Sequence, residues 1–165
     1  MASTGRIYSV AFENSAYTTA NGNYDFFELD PAADKPIEIV AIYISNTTEF
    51  GDAQEEQVRW TINRWTGGTF TSGNGTGTTP RPLDINDVAA SGAFEVTGAT
   101  VATSTGTLHL MHADTFNIRT GLQYIPPPEM RVRIGGTANE ASTVRMESTL
   151  ADDANLSGTL YFREL

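Results

Sequence analysis

Apolar residues in this chain recur at every second position in short runs, and no stretch carries the apolar stripe of a helix of useful length. Period two puts successive side chains on opposite faces, so these runs are expected to be strands. In "RIYSVAF", Tyr8, Val10 and Phe12 share a face. In "QVRWTINRW", Val58, Trp60 and Ile62 alternate with Arg59, Thr61 and Asn63, one face in and one face out. "PIEIVAIYIS" is the most apolar run: Ile37, Ile39, Ala41 and Tyr43 read as one face, and Val40, Ile42 and Ile44 as the other. Apolar residues on both faces predict a central, covered strand.

"YDFFEL", "AFEV", "TLHLMHA", "TFNIR", "RVRI", "STVRMEST" and "SGTLYFREL" complete a set of roughly eight to ten short strands. Gly, Pro, Asn and Asp lie between them as turn residues. "DINDVAAS" has the makings of a short helical turn with Asp84 as its cap. "YIPPPEM" cannot be a central strand, because three successive prolines remove ladder donors. With 165 residues the chain has the length of one domain. The expected fold is all-β: a single-domain antiparallel β-sandwich, jelly-roll-like, with long loops and spanning residues 1–165.

Between the fourth run and the next lies "TGGTFTSGNGTGTT" (66–79), followed by "PRPLD". It is not a phosphate cradle. No lysine follows a glycine, as a Walker loop needs, and Pro80 and Pro82 stand where a dinucleotide loop would open a helix. It reads as a flexible arm near 66–82 that takes its shape from whatever it touches.

The remaining chemistry is sparse. There is no cysteine, which excludes disulfides and thiolate metal sites. His109 and His112 are three apart, so on a regular strand they face opposite ways and share no metal. Glu55–Glu56 and Asp152–Asp153 read as solvated loop charges, and no G-x-S-x-G elbow occurs. No catalytic, cofactor or metal residue is assigned. The net charge of −10 argues against a general nucleic-acid role, although a local arginine patch is compatible with it. The first residues lack the apolar run of an ordinary signal peptide, and no eighteen apolar residues run together, so no membrane contact is expected.

Four stretches, "GDAQEEQVR" (51–59), "TPRPLD" (79–84), "FNIRTGLQYIPPPE" (116–129) and "LSGTLYFRE" (156–164), together with the Gly/Thr arm, resemble a family of small β proteins among the head genes of tailed bacteriophages: capsid decoration, or cement, proteins. The resemblance implies a non-enzymatic virion protein, made in the host cytoplasm and placed on the outer surface of the capsid. Its implied partners are the major capsid protein and copies of itself, as a homo-trimer or other symmetric homo-oligomer. The arm and the proline segment 125–129 would dock, and residues 1–6 would lie along a neighbour. Trp65, Phe70, Arg81, Tyr124, Pro126, Pro127 and Pro128 are the candidate contact residues. Trp65 is expected to be exposed at the mouth of the arm. The alternative is a carbohydrate-binding β-sandwich or tail adhesion module that uses exposed aromatics. A cupin-like enzyme would need more converging histidines than the two present.

Overall fold

The structure, a computed structural model, describes residues 5–20, 22–48, 56–135 and 137–165. Within these, almost everything regular is strand, and one 3₁₀ turn, Pro128–Met130, is the helical element. Two six-stranded antiparallel sheets pack face to face. Their long strands are β1 (Ile7–Tyr17), β2 (Tyr24–Pro31), β3 (Ile37–Asn46), β4 (Gln57–Thr66), β8 (Gly92–Gly98), β10 (Thr107–Asn117), β13 (Ala141–Met146) and β14 (Ala154–Glu164). Short pieces fill in: β5 (Phe70–Thr71), β6 (Thr76–Gly77), β7 (Arg81–Pro82), β9 (Thr103–Ser104), β11 (Leu122–Tyr124) and β12 (Arg133–Ile134).

Sheet A runs β11-β3-β14-β1-β7, with β12 also on β3; sheet B runs β10-β4-β13-β2-β8-β6. The pairing is nested. The first strand pairs with the last, β2 with β13, β3 with β11 and β12, and β4 with β10. Folding a chain back on itself in this way, and wrapping the ribbon into two layers, gives a jelly-roll sandwich. The buried hydrophobic residues form one cluster between the layers. Phe94, Phe162 and Tyr8 stack across it, with centroids 5.1 and 5.4 Å apart. Phe12 lies over Gly158 of β14, where any Cβ would strike its ring, so the glycine makes room for the aromatic.

Bulges change the simple alternation. In β3 the register slips at Val40, so Ile39 and Ile42 are both fully buried while Tyr43 is exposed. The strict two-face reading of this strand is therefore corrected. In β2 the extra residue is Phe26: Phe26 and Phe27 both enter the core, while Asp25 and Glu28 both face the other side. In β10 the extra residue is Met111. His109 pairs with Arg64 and His112 with Ile62, so the two histidines share a face instead of opposing each other.

The segment 67–106, between β4 and β10, is not a free arm. Residues 69–74 run antiparallel to 100–105 through the β5–β9 pair and the Asn74–Thr100 bonds, and this strap crosses the outer face of sheet B. What the Gly/Thr stretch touches is its own chain. Beyond the strap, β6 extends sheet B along β8, and β7 crosses to the edge of sheet A. The expected helical turn after it is a tight turn without helix: Asp84 accepts from the backbone N–H and the side chain of Asn86.

Under the strap sits a buried ion pair. Arg145 donates from Nε and Nη2 to Asp25 at 2.6 and 3.0 Å. Both partners also hold Ala102 of the strap: its N–H donates to Asp25 at 2.6 Å, and its carbonyl accepts from Arg145 at 2.8 Å. Burial raises the pKa of Asp25 more than Arg145 lowers it, so the pair is held by its bonds and not by cheap solvation. Breaking such a pair strands a buried charge. Arg145→Leu is expected to lower unfolding free energy by about 3–5 kcal/mol in urea titrations. A loss under about 1 kcal/mol would mean that the strap is not anchored here.

Candidate interaction surface

The expected contact residues scatter over the sandwich. Trp65 is only 9% exposed, which corrects its assignment as an open contact. It lies on the same face of β4 as Thr61 and Asn63, and all three are buried although the simple alternation turns that face to solvent. Phe70 is half-buried in β5, within the strap. Arg81 is exposed on β7, at one edge of sheet A. Tyr124, half-buried in β11, lies at the opposite edge, with its ring 5.5 Å from Trp60 and 4.7 Å from His112. Next to it Pro126 is buried, while Pro127 and Pro128 are exposed. Tyr124, Pro127 and Pro128 thus share one edge, and Arg81 and Phe70 stand apart from them. Residues 1–4 of the N-terminal segment and 51–55 of the acidic stretch lie outside the described residues.

The edge that holds the prolines exposes more than the sequence pattern predicts. Leu108 and Leu110 of β10 are 46% and 62% exposed on the outer face of sheet B. Ile125 and Met130, in the loop around the prolines, are 55% and 69% exposed. β10 is the last strand of sheet B, so one row of its backbone groups faces outward. The signal was present in "TLHLMHA": with His109 and His112 turned inward, Leu108 and Leu110 must turn outward. Reading it required the bulge at Met111.

His109 shares a 2.8 Å hydrogen bond between Nε2 and Thr66 Oγ1, and the ring of His112 sits 4.9 Å from Trp60. Among the described residues, no group of three or more His, Cys, Asp or Glu side chains is placed to hold a metal.

Beside this edge runs a shallow groove of about 430 Å³, lined by Arg64, Met111, Glu129, Met130, Arg131 and Arg133. Two of these arginines and Arg163 converge on one carboxylate. Glu38, 3% exposed, meets Arg131 and Arg163 at 3.1 Å each and Arg133 at 3.5 Å. Three guanidiniums on one buried carboxylate leave a surplus of positive charge on a chain of net charge −10. Arg64 Nε and Arg131 Nε are shielded from water and have no hydrogen-bond partner among the described residues.

The other titrating feature lies under the strap. Glu28 accepts from the backbone N–H of Gly73 at 3.0 Å, and burial, helped by Asp25 and Glu95, pushes its pKa up to about 7. A methyl group at Gly73 or Gly98 would collide with its carboxylate, so glycine is what lets the strap lie this close. Because the folded pKa is above the ordinary value of 4.5, the folded chain holds this proton more tightly than the unfolded one. The stabilisation is complete below about 4.5 and is lost as pH rises through about 7. Denaturant midpoints at pH 5.5 and 8 are therefore expected to fall more for wild type than for Glu28→Gln, with the variant the more stable at pH 8. Equal slopes would contradict the assignment. Compared with family models, with curated proteins and with solved structures, the chain finds no match.

Proposed function

We propose that this chain is a structural protein of the virion, a decoration protein that binds the outside of an assembled phage head and ties neighbouring capsid subunits together. The observation that carries the reading is the apolar edge: Leu108, Leu110 and Ile125 stand 46–62% exposed on and beside a sandwich edge, next to the exposed Pro127 and Pro128. Large apolar side chains left exposed on one side of a fold are the kind of surface that a protein–protein contact covers. The resemblance of the four stretches to cement proteins names the partner, the major capsid protein. Self-association in a trimer or other symmetric homo-oligomer belongs to the same reading.

The mechanism needs no catalytic group. Each contact is modest, and a symmetric oligomer on a repeating lattice makes several at once, so affinity grows through effective concentration. Binding the assembled shell better than its dissociated subunits stabilises the shell by linkage. Pro127 is extended and Pro128 opens a 3₁₀ turn, and the fixed φ of successive prolines pre-orders the docking loop and so lowers the entropy lost on binding. A net charge of −10 is tolerated outside the shell, away from packaged nucleic acid. Among the described residues, no helix is long and apolar enough to cross a membrane. The carbohydrate-binding alternative loses Trp65 as its stacking platform, since that ring is covered.

Heads assembled without this protein provide the test, by co-sedimentation and by their resistance to heating. Wild type is expected to pellet with them at a fixed ratio and raise their melting temperature. Leu108→Asp with Leu110→Asp should abolish binding with the fold intact, since both side chains face water. Pro127→Ala should weaken it about two- to fivefold, the equivalent of about 0.4–1 kcal/mol of lost pre-ordering. Binding that ignores the leucine pair would rule out this edge as the docking face.

A further inference from the structure

The exposed large apolar side chains also mark a second place, at the opposite edge of the sandwich. The turn after β7 carries Leu83, Ile85 and Val88, which are 59%, 93% and 59% exposed. It is not a floppy tip. Leu83 N–H donates to the Ile7 carbonyl, Asp87 N–H to the Asp84 carbonyl, and the Tyr8 hydroxyl to the Val88 carbonyl at 2.8 Å. The fold thus holds an isoleucine out in water on a pinned turn, the form of a pre-ordered anchor. The turn also carries two carboxylates: Asp84, fully in solvent, and Asp87, paired with Arg6 at 3.4 Å.

The groove at the other edge is its complement. Met111 and Met130 supply a soft apolar lining, and Arg64, Arg131 and Arg133 line it together with one acid, Glu129; with Arg163 added, four arginines there stand against Glu38 and Glu129, so the groove keeps a positive balance. Sheet order sets the two features apart: the turn follows β7, at one end of sheet A, whereas the groove lies where β10 meets the loop joining β11 to β12. One molecule cannot satisfy its own groove.

We propose that copies of this chain associate head to tail, the acidic, apolar turn 83–88 of one seating in the arginine- and methionine-lined groove of the next, and that the series closes into a ring. Heterologous contacts of this kind form rings when the rotation between copies closes. The anchor is Ile85 against Met111 and Met130, and the direction of seating is set by Asp84 facing the arginines. Leu108 and Leu110 lie on the outer face of sheet B and stay free. The inference gives surfaces to the self-association included in the reading above and rests on that reading only there. It is measured without heads, so either can fail alone.

Native mass spectrometry and sedimentation of the purified chain provide the test, with Ile85→Asp (turn spoiled, groove intact) and Met130→Asp (turn intact, groove spoiled). Both sites are exposed, and unchanged unfolding midpoints verify the fold. Wild type is expected to form one closed oligomer that weakens with added salt. Each variant alone should be monomeric. An equimolar mixture of the two should form 1:1 dimers and nothing larger, because one intact turn and one intact groove remain. A monomeric wild type at hundreds of micromolar, a variant that assembles as wild type does, or a mixture that stays monomeric would each overturn the proposal.

Discussion

The ion pair between Asp25 and Arg145 makes the outer layer of this protein possible. A sheet face with two acids and an arginine would ordinarily face water. Here both charged partners bind each other and, together, one residue of the strap. Ala102 gives its N–H to Asp25 and its carbonyl to Arg145, so burial leaves these backbone groups satisfied. From that point the path of segment 67–106 follows. The strap lies over sheet B and Trp65 is covered. The chain is then delivered to the edges, where it forms β6 and β7 and projects the turn that bears Ile85.

The sandwich was legible because its strands obey period two over most of their length: Val58, Trp60 and Ile62 lie in the core as the alternation requires. The departures share one cause. A bulge is defined by two residues of one strand opposing one of another, so Phe26, Val40 and Met111 cannot be recognised as extra without knowing the partner strand. Each moves the residues after it to the other face. This turned the histidines to one side, put Asp25 and Glu28 on one face, and let Phe116 turn inward although Leu108 and Leu110, before the bulge, face outward.

The Gly/Thr segment misled for a related reason. Its own residues offer almost no apolar surface, which reads as flexibility. Its own anchor is a backbone group, the N–H of Gly73 on the Glu28 carboxylate, and the strap half that it pairs with is held through both polar groups of Ala102 by Asp25 and Arg145, all far away in sequence. The available hint was in "YDFFEL", where two acids sit in an otherwise apolar strand and require buried partners. Composition says what a segment can bury, but not what distant side chains will do for its backbone. The candidate contact residues fared unevenly for the same reason. Pro127 and Pro128 stand at an exposed edge, as proline demands, while Trp65 is buried on the face that its own alternation turns to solvent.

The fold thus presents two differently built edges, one apolar and arginine-rimmed, the other a hydrogen-bonded turn that carries Asp84 and Asp87. The role proposed for it asks these edges to hold a position on a capsid lattice. The most direct test of that role is quantitative mass spectrometry of gradient-purified virus particles, reading the ratio of this chain to the most abundant shell protein. The account predicts a fixed, high ratio, with the main shell protein a different chain. Absence from the particle, or only a few copies in each, would contradict it.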